Sequence, residues 1–296
     1  MGSIGNRLDL KLAFRIVNVF TRHGAALSGN PLCVFEDARG LDAAHMQALA
    51  QQMNLSETTF IFPSSRVDAV VRIYTPAFEM PFAGHPTLGT AHVVHALGAM
   101  STMTLEMHAG DIVVRSTAPG QWQLRTAGGL LATVPAASTA ELAAMLQLPT
   151  TAVDARASWI NTGSDQLIIP VASPADVAAA AAVPELLARH GRSAKRTEPI
   201  AYVWAWADAA QTQVVARTFF MAHGAVIEDP ATGSACANLG GWLRHTGEWS
   251  GAARHVEVSQ GDSIGRQSTL HLDIDSEGAI FVSGDVIELG RGELAL

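Results

Sequence analysis

Residues 86–97 read Pro86-Thr87-Leu88-Gly89-Thr90-Ala91-His92-Val93-Val94-His95-Ala96-Leu97, with Gly98 directly after them. Proline at the start and glycine past the end are helix punctuation. The apolar residues Leu88, Ala91, Val93, Val94 and Leu97 do not gather on one stripe. A helix that is apolar on every face is surrounded by protein. Residues 232–245 form a second segment of this kind, from Thr232 to a closing Gly247. Two wrapped helices, in a chain that otherwise reads mostly as strands, decide the fold class.

Around the first helix, residues 14–20, 31–35, 58–62 and 67–74 are predicted strands. In the last of these Val67, Ala69, Val71 and Ile73 alternate with Asp68, Arg72 and Tyr74. Met46, Leu49, Ala50 and Met53 follow helical spacing, so residues 41–53 form an amphipathic helix closed by Asn54. Strands at 103–106, 111–115 and 122–126 follow the wrapped helix. The second half repeats the order, with strands at 159–162 and 166–171 and a helical stretch at 173–191 opened by Ser173-Pro174. Strands at 201–206 and 213–219 come next, then the second wrapped helix, then strands at 255–259, 268–274 and 279–283.

At an offset of 144, Val70-Val71 falls on Val214-Val215, His85 on Asp229, Pro86 on Pro230, Gly89 on Gly233, Thr90 on Ser234 and Ala91 on Ala235. The expected fold class is α+β, with two similar domains from an internal duplication, each a curled, mostly antiparallel sheet around a central helix. Residues 1–127 form the N-terminal domain and 128–283 the C-terminal one. Residues 127–135 are the expected linker, after which Ser138-Thr139-Ala140-Glu141 starts a helix with a capping box.

Composition removes several function classes. Apolar residues make up 48% of the 296-residue chain and charged residues only 16%, against roughly 25% in an average domain. The net charge is −8 and no basic cluster is present, which argues against nucleic acid and against an anionic membrane surface. The only lysines, Lys11 and Lys195, lie outside any motif, so a Schiff-base cofactor is not expected. Cys33 and Cys236 are too few and too far apart for a disulfide framework or a cysteine zinc site. His85, His92 and His95 do not amount to a converging ligand set, and no metal is expected. The N-terminus lacks a signal peptide pattern and, because Asn6 replaces Ser or Thr, a myristoylation pattern. The most apolar window, 177–188, is interrupted by Pro184 and Glu185. A cytoplasmic location is the expectation.

The N-termini of the wrapped helices are the first place to look for chemistry. Free backbone N–H groups and the positive dipole end favour an anion, and Gly84 and Gly233 would let a carboxylate approach the backbone. The alternative is that His85-Pro86 and Asp229-Pro230 are helix punctuation alone. Glu57, in Asn54-Leu55-Ser56-Glu57-Thr58-Thr59-Phe60, is the second candidate. Among apolar neighbours it would be partly desolvated, its pKa raised and suited to moving protons near neutrality; the alternative is a solvated turn residue. For Arg72 and Arg217 a carboxylate clamp and a structural ion pair both stand open.

Five segments together carry a resemblance: Ser28-Gly29-Asn30-Pro31, Leu55-Ser56-Glu57-Thr58, Pro81-Phe82-Ala83-Gly84-His85-Pro86-Thr87-Leu88-Gly89, Asp229-Pro230-Ala231-Thr232-Gly233-Ser234-Ala235 and Gln260-Gly261-Asp262-Ser263-Ile264-Gly265-Arg266. In this order and spacing the chain resembles the phenazine-biosynthesis isomerase (PhzF-like) family of the diaminopimelate-epimerase fold superfamily. The resemblance implies an active site between two α+β domains, no cofactor, a homodimer, and isomerisation of a small cyclic or unsaturated carboxylic acid such as dihydro-3-hydroxyanthranilate. By motif position it implies that Glu57 shuttles the proton. It further implies that His85, Asp229 and Ser234 are the other polar site residues and that Gly84 and Gly233 are the backbone donors. It also implies that residues 284–296 return to the first domain.

Diaminopimelate epimerases place a thiol before the glycine of each helix-start motif, where this chain has Ala83 and Thr232, so two-thiol racemisation is unavailable. Cys236, one turn further on, reads as core. Gln267 stands where the family often has proline. Two other functions remain in view: epimerisation or racemisation by a carboxylate and histidine pair, and a small-acid binding protein without turnover.

Overall fold

The computed structural model describes residues 10–98, 100–126, 128–196, 198–222 and 224–296. The chain divides into two compact units, residues 10–124 with Ser283–Leu296, and Arg125–Val282. Residues 1–6, which carry the sequence argument about myristoylation, lie outside the described residues, as does Ala127 at the expected linker.

Unit 1 runs β1 (Lys11–Val19), β2 (Asn30–Phe35), α1 (Ala43–Met53), β3 (Glu57–Phe62), β4 (Ala69–Tyr74), β5 (Glu79–Met80), α2 (Gly84–Gly98), β6 (Thr102–Met107), β7 (Gly110–Ala118) and β8 (Gln121–Arg125). β1 pairs antiparallel with β2, β2 parallel with β3, β3 antiparallel with β4, β4 parallel with β6, β6 antiparallel with β7 and β7 antiparallel with β8. The C-terminal strand, Ile280–Ala295, runs antiparallel to β1 from Lys11↔Ala295 to Val19↔Val286 and also pairs with β8. The ring is therefore closed, and unit 1 is a barrel without a free edge.

α2 packs against β1, β2 and β3 and is buried from His85 to Ala91 and at Val93 and Val94. Its close fit depends on Gly89, where an added Cβ would lie 2.5 Å from Leu32 Cδ2 and 2.9 Å from Val19 Cγ2. Leu97, read as one of the wrapped residues, is instead exposed. α1 starts where the Asp42 side chain accepts from the His45 N–H and stops at Asn54 in the left-handed conformation. Met46, Leu49 and Ala50 on α1 join Phe35, Phe60 and Tyr74 in one apolar cluster.

Unit 2 contains β9 (Leu131–Thr133), α3 (Thr139–Met145), β10 (Ser158–Asn161), β11 (Asp165–Pro170), α4 (Pro174–Ala179), α5 (Pro184–His190), β12 (Ile200–Trp206), β13 (Gln213–Ala222), β14 (Ala225–Asp229), α6 (Gly233–His245), β15 (Arg254–Gln260) and β16 (Ser268–Ile274). Its pairings run β10–β11 antiparallel, β11–β12 parallel, β12–β13 and β13–β14 antiparallel, β13–β15 parallel and β15–β16 antiparallel. From β1 to β7, with the β4–β5 hairpin included, unit 1 shows the same succession. Val70 and Val214 sit at the same place in it, each on the strand that joins a parallel neighbour across the central helix. α6 is buried from Ala235 to Leu243, with Gly240 against Leu272 and Gly241 against Ile160.

Four expectations are corrected. The expected linker contains β9, which pairs with β10, because Leu131 to Thr133 find ladder partners in Asn161 to Trp159. The helical stretch at 173–191 is two helices, since Pro184 has no N–H to continue the first and starts the second. The strand expected at 279–283 continues to Ala295. At the helix starts, His85 is the second residue of α2 whereas Asp229 is the last residue of β14, so the constant offset does not match the two. Among the described residues no helix is long and apolar enough to cross a membrane.

Candidate active site

Glu57 opens β3 three residues after the Asn54 cap of α1, opposite Leu32 in the parallel β2–β3 ladder. The strand it pairs with begins in Ser28-Gly29-Asn30-Pro31. Gly29 has φ +77° and an added Cβ would meet the Val19 carbonyl oxygen at 2.5 Å, so only glycine fits this turn. Asn30 is buried and accepts from Ser56 Oγ at 3.3 Å. The Glu57 side chain is 18% exposed and its Oε2 lies 3.1 Å from Nδ1 of His85. The start of α2 thus brings His85, on its first turn, to the carboxylate at the start of β3.

Burial pushes the Glu57 carboxyl up, but the hydrogen bond and charge of His85 and a hydrogen bond from Ser56 outweigh it, and the net shift is downward. The sequence reading expected a raised value. The reversal has a physical cause: the neighbours of Glu57 in sequence supply burial, while the fold supplies a histidine 28 residues away. With Glu57 ionised, His85 donates to it through Nδ1, and Nε2 is left on the far side of the ring from the carboxylate. That Nε2 atom is buried and has no hydrogen-bond partner.

Gly84 is the first residue of α2. An added Cβ there would meet only Leu124 Cδ2, at 4.0 Å. Packing does not require this glycine, in contrast to Gly89 five residues later.

In unit 2, Thr232 precedes the first residue of α6, Gly233, and its hydroxyl lies 2.5 Å from Asp229 Oδ2. Gln260, buried at the end of β15, accepts from Thr232 N–H at 3.2 Å and donates through Nε2 to the Asp229 carbonyl at 2.8 Å and to Thr232 Oγ1 at 3.0 Å. Thr232 Oγ1 is also 2.8 Å from Thr218 Oγ1. The threonine hydroxyl, accepting from Gln260, is set to donate to the carboxylate of Asp229. Ser234, the second residue of α6, accepts from Gln166 Nε2 at 2.8 Å. The motif residues of each unit are thus gathered within that unit, Glu57 with His85 and Asp229 with Thr232 beside Gly233 and Ser234.

Four buried polar residues around these groups were missed in the sequence: Thr218, Gln166, Asn238 and Gln260. An asparagine in the middle of a helix that is otherwise apolar was the available signal for Asn238. Arg72 and Arg217 each form an ion pair within their own unit. Arg72 forms a two-pronged ion pair with Glu79, at 2.6 and 2.5 Å. Arg217 binds Glu228 at 2.6 Å and the carbonyls of Val177, Ala178 and Ala180. Cys236 is fully buried in α6, and burial drives its thiol far up, so it stays protonated and inert. Among the described residues no three His, Cys, Asp or Glu side chains are grouped to hold a metal.

A family model described as phenazine biosynthesis-like protein matches residues 17–288. The chain belongs to this family. An uncharacterized isomerase of Pasteurella multocida is 37% identical over 95% of this chain and 93% of its own length. The trans-2,3-dihydro-3-hydroxyanthranilate isomerase of Pseudomonas chlororaphis is 32% identical over 95% of this chain and 98% of its own length. A PhzF-family protein of Bacillus anthracis has the same fold, with a TM-score of 0.84 and 22% identity over 97% of this chain and all of its own. As a member of the PhzF-like family this chain is an isomerase, and its α+β architecture with a closed barrel is that of its structural relatives.

Proposed function

We propose that the protein is a cofactor-independent isomerase that moves a proton on a small cyclic or unsaturated carboxylic acid, as in the reaction for which its trans-2,3-dihydro-3-hydroxyanthranilate isomerase relatives are named. The observation that carries the reading is the Glu57–His85 pair: a carboxylate held ionised, 3.1 Å from a buried histidine with one unengaged nitrogen.

Glu57 takes a proton from a substrate carbon and returns it to another carbon of the same π-system. A carboxylate with a lowered pKa is present as the base at neutral pH, and one positioned acid–base group contributes roughly 10²–10⁴-fold. His85 holds the carboxylate through Nδ1 and turns its unengaged Nε2 to a polar group of the substrate. Asp229 and Ser234 take further polar substituents. The N–H groups of Gly84 and Gly233, at the helix starts, bind the substrate carboxylate and stabilise charge as it develops. The matched succession of pairings supports an internal duplication as the origin of the two units, and family membership supports a homodimer, which sedimentation would test.

The test is direct. Incubated in D2O with trans-2,3-dihydro-3-hydroxyanthranilate, the enzyme should convert it and place solvent deuterium on carbon, read by NMR. Inversion at one stereocentre without a positional shift would replace this reading with epimerisation, and saturable binding without conversion would replace it with a binding protein.

A further inference from the structure

A chain of side-chain amides in unit 2 has its polarity fixed at one end. The backbone N–H of Thr162 can only donate, and it points to Asn238 Oδ1 at 2.9 Å, with the Thr162 hydroxyl at 2.8 Å on the same oxygen. The Asn238 amide nitrogen must therefore face the other way, and Nδ2 donates to Gln166 Oε1 at 2.8 Å and to the Ser164 carbonyl at 2.8 Å. With its oxygen committed to Asn238, Gln166 presents Nε2 to Ser234 Oγ at 2.8 Å. Asn238 is fully buried and Gln166 is 1% exposed, so flipping either amide would set like groups against each other without water to compensate.

We infer that Asn238 and Gln166 are positioning residues that force the Ser234 hydroxyl to accept from within the protein and to donate outward. The inference rests on the assignment of Ser234 to substrate binding. Ser234 then selects a hydrogen-bond acceptor, a carboxylate or carbonyl oxygen, and rejects an ammonium or N–H group at that point of the ligand. Among the described residues no acceptor is paired with the Ser234 hydroxyl proton, which is therefore available to an incoming ligand.

Gln166→Glu is the discriminating variant. A carboxylate can accept from Asn238 through one oxygen but offers only another acceptor to Ser234, so the serine proton turns inward. With trans-2,3-dihydro-3-hydroxyanthranilate as substrate, KM should rise about 10- to 100-fold, the effect of one charge-assisted hydrogen bond, with kcat within about twofold. Ser234→Ala should show the same rise, and adding Gln166→Glu to it should have no further effect on KM. Additive rises, or an unchanged KM in Gln166→Glu, overturn the inference. A neutron structure of the deuterated protein decides the polarity without any substrate: deuterium on Gln166 Nε2 directed at Ser234 Oγ supports it, and deuterium on Ser234 Oγ directed at Gln166 overturns it. If the wild-type enzyme neither binds nor converts this acid, the functional reading fails while the neutron result still decides the relay.

Discussion

His85 and Ser234 hold the same place in their central helices. Each is the second residue, directly after a glycine, and each is engaged by a side chain from a strand of its own unit: His85 by Glu57 at 3.1 Å and Ser234 by Gln166 at 2.8 Å. The same position on the scaffold thus carries a charged pair in unit 1 and a neutral one in unit 2. The acid–base role proposed above for Glu57 falls on the pair that contains a carboxylate.

Replacing Glu57 with Gln removes the base while keeping its shape and one acceptor for His85. Turnover should fall by about 10²–10⁴-fold or more, with substrate affinity, measured by calorimetry, within a few-fold of wild type. Turnover near the wild-type rate would sink the assignment.

The lowered pKa of Glu57 sets a pH dependence with a definite sign. The ionised form is favoured in the folded state, so its contribution to stability is fully present above the ordinary value of 4.5 and is lost as pH falls through the lower folded value. The stability difference between wild type and Glu57→Gln, from urea titrations, should shrink below about pH 4.5. For the same reason, the limb of kcat/KM due to Glu57 should lie below that pH. A limb that is present in the wild type near pH 6 and assigned to Glu57 by its loss in a variant would contradict the pair geometry.

Gly84 and Gly89 should separate function from packing. Gly89→Ala drives a methyl into Leu32 and Val19 and should cost about 1–3 kcal/mol of stability. Gly84→Ala meets only Leu124 at 4.0 Å, so thermal stability should hold while KM rises. A large fall in Tm for Gly84→Ala would mean that the glycine serves the fold after all.

Arg217→Ala removes the cation beside Glu228, whose side chain is 8% exposed and keeps the Ser263 hydroxyl, and takes one donor from each of three carbonyls. Stability should drop by about 3–5 kcal/mol, with KM of the surviving folded enzyme within about twofold. A selective loss of substrate binding would restore the clamp reading.

How much of this was legible in the chain depends on how local the signal is. The wrapped helices showed themselves because burial on every face leaves no polar stripe at 86–97 or at 232–245, and the capping box at Ser138 showed because its partners are three residues apart. The long C-terminal strand did not, since Gly290 and Gly292 interrupt its alternation, although Gly292 is there to pass Phe14. β14 is a half-exposed strand without an apolar face and left no pattern. The direction of the Glu57 shift was invisible for another reason: a desolvation cost can be inferred from neighbours in sequence, but the compensating histidine arrives only through the β3–α2 arrangement. The amides of Gln166 and Asn238 lie outside every motif, and Gln260, though it opens one, was not read as a site residue, because the importance of each lies in which way it faces.

The closure of the barrel by Ser283–Leu296 has a consequence for synthesis. These residues leave the ribosome only after all of Arg125–Val282, so unit 2 is available to fold while β1 and β8 still lack their shared neighbour. The nascent protein therefore carries two open strand edges until Ser283–Leu296 emerge, and a chain cut before Ser283 would keep unit 2 whole while leaving the first unit with edges able to pair with other chains.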